Sequence, residues 1–269
     1  MCPVAKATNA EALATHDWLR FLLRFDAAHP THDCAGRPLR YTAPQRCGPD
    51  NAKEQPVPAS INVSSVFKQA LRSTQDPLYM VWVVTHRFQN DDGYGPVALV
   101  AEHPSGLTVE ALGALRLPTQ RVHFDRWPFE DQAVIVARGQ HCMDTDRDCE
   151  TEQVVMLTPD NALVQAEIHD QTGACVGMAR IRTPLVSERS LPSGAIRRIE
   201  QHSSLGFDPR YLVLTEQGTV GETAPDAPSG PRQVVQSSEL ERFLHVHEDH
   251  LSSRQRPLWP QLLQLQAGR

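Results

Sequence analysis

From residue 78 to residue 182 the chain repeats one signal: short runs of apolar, β-branched and aromatic residues, punctuated by Gly, Pro, Asn and Asp. The run 78–88 is followed by Asn90, Asp91, Asp92 and Gly93, a turn composition, and then by the apolar return 97–102. Pro104-Ser105-Gly106 turns the chain into 107–117, and beyond Pro118 and Pro128 lies a further run, 132–139. The clearest part is 153–182, where 154–157, 163–168 and 175–181 are separated by Pro159-Asp160-Asn161 and by Asp170-Gln171-Thr172-Gly173. Connections this short leave no room for a crossover helix, so successive strands must lie antiparallel as a meander.

Helical periodicity flanks this region. Leu13, Trp18, Phe21, Leu22 and Phe25 form an apolar stripe over 10–25, and Val63, Val66, Phe67, Ala70 and Leu71 form another after Ser60. Between them Pro30, Pro38, Pro44, Pro49, Pro56 and Pro58 mark a long irregular segment. Pro225, Pro228 and Pro231, with Ser229 and Gly230, read as a linker to a C-terminal helix. The pattern predicts an α+β fold, an antiparallel sheet packed on one or two helices. Its parts are an N-terminal helix and irregular segment at 1–58, a sheet domain at 59–221, a linker at 222–232 and a helical extension at 233–269.

Charge and composition narrow the partners. A net charge of −6 over 269 residues gives nucleic acid no electrostatic reason to bind. The apolar run 78–84 is too short to cross a bilayer, and the first residues lack the apolar core of a secretion signal, which predicts a cytoplasmic protein without a membrane partner. In that setting the six cysteines are expected to be reduced thiols. Cys34 and Cys47 lie near His29 and His32, and Cys142 and Cys149 follow His141, but neither group has the paired C-x-x-C spacing of a structural zinc site.

The segment His245-Val246-His247-Glu248-Asp249-His250 matches the H-x-H-x-D-H signature and so resembles metallo-β-lactamase-like hydrolases, which would imply zinc. Local sequence opposes it. Ser238 and Glu241 read as a capping box, and Leu240, Phe243, Leu244, His247 and Leu251 recur at helical spacing. On a helix His245 and His247 point roughly 160° apart, and residues 251–269 supply no further His, Asp, Glu or Cys. No metal is assigned. Asp144, Asp146 and Asp148 start like a calcium loop, yet Cys149 and Val155 stand where Gly and Glu are required, leaving an acidic surface turn.

The strand-turn-strand Val164-Gln165-Ala166-Glu167-Ile168-His169-Asp170-x-x-Gly173-x-x-Val176-Gly177-x-Ala179 resembles the closing strands of hot-dog-fold proteins, over residues 60–183. The resemblance implies a sheet wrapped around one long helix, usually in a homodimer. It also implies action on acyl-CoA or acyl-carrier thioesters, as a hydrolase, a dehydratase or a binding protein, without a cofactor. Such chemistry needs a carboxylate or His to activate water. The candidates in the sequence are His123 and Asp125, which alternation points the same way on a strand, with Glu130 close by. No G-x-S-x-G elbow, P-loop or dinucleotide fingerprint follows any strand. The alternative is a non-catalytic interaction protein that uses its terminal helices, with Trp259, Leu262, Leu263 and Leu265 on the last one. An apolar tunnel bearing His or carboxylate favours the first reading, and a flat apolar patch on the terminal helix the second.

Overall fold

Successive side chains of a strand point to opposite faces, so 78–83 sends Met80 and Trp82 one way and Tyr79, Val81 and Val83 the other. All five are apolar, and such a strand needs cover on both faces. A computed structural model of the chain shows what supplies it. The structure describes residues 10, 13–24, 32–38, 47, 55–71, 77–129, 132–142, 149–227 and 229–267. They form two compact units, one of Met1–Glu167, Cys175–Arg180 and Glu248–His250, the other of Ile168–Ala174, Ile181–His247 and Leu251–Arg269.

The first unit is built on eight strands: β1 (Val66–Leu71), β2 (Leu78–Val83), β3 (Asp92–His103), β4 (Gly106–Pro118), β5 (Gln120–Pro128), β6 (Ala133–Cys142), β7 (Cys149–Leu157) and β8 (Ala162–Gln165). Their order across the sheet is β1-β2-β3-β4-β8-β7-β6-β5. The pairs are antiparallel except β4 with β8, which run parallel through Ala162 opposite Leu112 and Leu163 opposite Gly113. The two end strands then meet. The Gln69 side chain donates from Nε2 to the Phe124 carbonyl at 2.6 Å and accepts from the Phe124 N–H at 2.8 Å, joining β1 to β5 and closing the sheet into a barrel.

One apolar cluster fills the lumen, with members from every strand, including Leu71, Trp82, Leu99, Leu115, Phe124, Ile135, Met156 and Leu163. Eight strands enclose a bore just wide enough for side chains to fill, so this is a packed core and not a tunnel. Each fully buried Leu, Ile or Met here is worth roughly 1.5–3 kcal/mol. Trp82 is fully buried and stacks on Phe67 with ring centres 5.1 Å apart. The opposite face of β2 is covered by α1 (Thr15–Leu22), whose Trp18, Phe21 and Leu22 pack on Tyr79, Val81, Val83, Ala98 and Val100.

The second unit is an antiparallel meander of β9 (Leu185–Ser190), β10 (Ile196–Asp208), β11 (Tyr211–Glu222), β12 (Gln233–Val246) and β13 (His250–Ser252, with Leu251 and Ser252 in this unit), followed by α2 (Leu258–Ala267). Leu258 and Leu262 are buried against Ile199 and Val220, and a Cβ placed on Gly218 would lie 2.4 Å from a Leu262 methyl, so that glycine seats the helix. Beneath α2, Glu216 and Arg242 are both buried with 3.8 Å between their charged groups. Glu216 also accepts hydrogen bonds from the Leu258 N–H and the Gln201 amide.

The α+β expectation is therefore overturned. Among the described residues there are two helices, of 8 and 10 residues, and the architecture is strand-dominated. The hot-dog-like arrangement falls with it, since α1 lies outside the barrel and the strands' own side chains occupy the interior. Two predicted helices are strands. Residues 60–71 make a short 3-10 turn, Val63–Ser65, and then β1, whose backbone pairs with β2 from Val66 to Leu71. Residues 238–246 belong to β12, which pairs with β11 along nearly its whole length. The expected reduced thiols are also corrected. Cys47 is bonded to Cys175, Cys142 to Cys149, and Cys34 is disulfide-bonded as well, so no described cysteine is free. No helix among the described residues is long and apolar enough to span a membrane, a finding that leaves strands aside.

Candidate functional site

The two ends of the barrel differ. At one, β3 and β4 break register: Leu99 pairs with Ala111 and Val100 with Val109, so Glu110 is an extra residue on β4. Such bulges re-aim a side chain at a barrel rim. Opposite it, β5 alternates Val122, Phe124 and Arg126 toward the lumen, and Arg126 lies across from Ile135 of the core. The turn between β7 and β8 holds Asp160 and Asn161 with φ of 45° and 59°. Asp and Asn tolerate this left-handed region better than most residues, and non-glycine residues held there cluster at functional sites.

These elements enclose a cleft of about 340 Å³. Leu99, Ala111, Phe129 and Ala133 form its apolar wall, and Glu110, Arg126, Gln132, Thr158 and Asn161 its polar groups. The Thr158 hydroxyl donates to the Ala133 carbonyl at 3.2 Å, which ties the β7 end of the rim to β6. The Arg126 Nε–H is buried and has no hydrogen-bond partner among the described residues. A guanidinium set in an apolar wall with a donor to spare is equipped to hold a planar anion.

The other end is sealed by charge. Asp92 of β3 is fully buried, accepts a 2.8 Å hydrogen bond from Arg116 Nε of β4, and lies 2.9 Å from His141 Nε2 of β6. Arg180 approaches Asp92 at 3.7 Å, pairs with the buried Glu152 of β7, and donates to the Arg116 carbonyl at 3.2 Å. Arg116 also stacks on Phe88 at 3.6 Å. Burial pushes the Asp92 carboxyl up, but hydrogen bonds from Asn90 and Arg116 and the charges of Arg116 and Arg180 outweigh it and hold the group below its ordinary value. Four elements of the first unit are pinned by one carboxylate and its partners.

The sequence-predicted site residues lie elsewhere. His123 and Asp125 do share a face, 3.2 Å apart, and Arg138 meets Asp125 at 3.0 Å. That face is the outer one, with the His123 side chain about half exposed, because the alternation that turns Phe124 and Arg126 inward turns these two outward. Glu130 lies outside the described residues, as do His29, Asp144, Asp146 and Asp148. The His245 segment is a hairpin in which His245 pairs with Ser252, His247 Nε2 meets Ser252 Oγ at 2.8 Å and His250 meets Asp249 at 2.7 Å. Its histidines are not brought together as a three-ligand metal group among the described residues.

Glu110, Arg126 and Asn161 escaped the sequence reading. A bulge leaves no trace in composition, but Arg126 did: it is the charged third position of an alternating series whose other members, Val122 and Phe124, are apolar. Neither family models nor curated proteins nor solved structures provide a match to this chain.

Proposed function

We propose that the first unit binds a compact organic acid in the cleft at the open end of its barrel. The observation that carries this reading is Arg126, whose buried Nε–H lacks a partner among the described residues while the side chain lines a cleft at the small end of the usual ligand-site range of about 300–1,000 Å³. A carboxylate satisfies the guanidinium, a short hydrocarbon portion lies on Leu99, Ala111 and Phe129, and a hydroxyl or ammonium donor faces Glu110. The carboxylate at Glu110 disfavours a second anionic group on the ligand.

Calorimetric titration of the full chain with a panel of small hydroxy acids, amino acids and short fatty acids tests the reading, with acyl-CoA esters as a separate arm. Binding of a small acid that weakens about 10–100-fold in Arg126→Gln supports it, since a hydrogen bond to a charged group is worth roughly 1.5–3 kcal/mol. Failure of every small acid to bind overturns it, as does binding indifferent to Arg126→Gln. Affinity for acyl-CoA esters that grows with chain length points instead to thioester binding.

A further inference from the structure

We propose that Cys47, Cys175 and Glu167, in the thiol form of the first unit, hold one Zn²⁺ ion. One ligand atom from each of the three side chains lies within 4.8 Å of the others, close enough to converge on a single cation. Cys47 is almost fully buried, and Glu167 and Cys175 are half-buried, so the group is only partly open to solvent. Two thiolates and a carboxylate form a donor set that suits zinc, with water completing a tetrahedral shell. Sequence distance hid the arrangement, because the two cysteines are 128 residues apart.

In the oxidised chain the two sulfurs are bonded to each other and cannot both ligate. A small-molecule thiol attacks Sγ of Cys175, the less buried of the two residues, and releases Cys47 as a thiol; a second thiol then attacks the small-molecule sulfur of the mixed disulfide and releases Cys175 as a thiol. Two protein thiols and one small-molecule disulfide result, with two electrons passing from the small thiols to the protein. Zinc then displaces one proton from each cysteine, and the Glu167 carboxylate supplies the third ligand. The pair thus alternates between a covalent clamp and a metal site according to the thiol poise around it.

The test is a Co²⁺ titration of the full chain, reduced with a monothiol that is then removed under anaerobic gel filtration. One equivalent of Co²⁺ that develops thiolate-to-cobalt charge-transfer absorption and is displaced by Zn²⁺ is expected. The oxidised chain should show none. Cys175→Ser should abolish the band, whereas the double variant Cys142→Ser, Cys149→Ser should leave it intact. Glu167→Gln keeps both thiols, so it reports even if a cysteine variant fails to fold. It should weaken the metal by at least the 10–100-fold that loss of an outer-shell partner typically costs. No charge-transfer band in the reduced wild type overturns the site, as does a band that survives Cys175→Ser or an affinity unchanged in Glu167→Gln.

Discussion

The Gln69 side-chain amide and the Phe124 backbone exchange two hydrogen bonds, of 2.6 and 2.8 Å, where a barrel would ordinarily use a rung of paired main chains. A primary amide can donate and accept at once, as a peptide does, so one side chain stands in for a ladder position. Gln69→Leu preserves size but leaves the Phe124 N–H and carbonyl unpaired. The expected cost is about 1–3 kcal/mol, read as a lower urea midpoint. Hydrogen exchange at the Phe124 amide should accelerate more than at Ile135, which sits inside the β6 ladder.

Asp92→Asn removes the charge that neutralises Arg116 and Arg180 at the sealed end of the barrel. Breaking one side of a buried ion pair typically costs about 3–5 kcal/mol. The loss should appear in denaturant unfolding of the first unit while the second unit's transition stays in place.

The same carboxyl sets an acid limit. Its folded-state value lies below the ordinary 3.8, so the folded chain binds that proton less tightly than the unfolded chain. Its stabilising contribution is complete above the ordinary value and is lost as pH falls from there through the folded value. Stability of the first unit measured from pH 6 to pH 2 should drop in that lower window, and Asp92→Asn should flatten the drop.

Glu216 has the opposite sign. Burial pushes its carboxyl above the ordinary 4.5, against the pull of Arg242, the Leu258 N–H and the Gln201 amide. The folded state therefore holds this proton more tightly, and the group's contribution is greatest at low pH and declines as pH rises from 4.5 through the raised value. Unfolding of the second unit across that range should show wild type losing stability relative to Glu216→Gln.

Gly113→Ala tests the parallel seam between β4 and β8. A Cβ at this position would lie 1.9 Å from the Leu163 carbonyl oxygen, a backbone atom that cannot swing aside. Overpacking of this kind costs typically 1–3 kcal/mol and sometimes more. Circular dichroism melts should show a lower midpoint, and exchange should speed up at Leu163 before it does on β3.

Much of the strand layout was legible because it is local. The turns at Pro104-Ser105-Gly106 and Pro159-Asp160-Asn161 fall where their residues place them, and runs such as 107–117 are strands. Other elements were misread for a physical reason. Leu240, Phe243 and Leu244 fit a helical stripe, but in β12 the buried positions are Arg242 and Leu244, and a buried arginine facing Glu216 breaks the apolar alternation that would have announced a strand. Ser238 and Glu241 then mimicked a cap. Closure through Gln69 and the meeting of Cys47 with Cys175 join residues far apart in the chain, and no local window contains them, while the bulge at Glu110 lies within one hairpin but has no compositional mark.

The parallel placement of β8 between β4 and β7 also sets an order of events during folding. Residues 112 and 113 emerge from synthesis with one edge open and must wait for residues 162 and 163 before that edge is paired. The Gln69 contact spans another 55 residues, and neither closure is rewarded until its loop has been formed. Topologies dominated by such distant pairings fold slowly, in milliseconds to seconds, so the nascent barrel should pass through an interval with its interior exposed and depend on protection during that time.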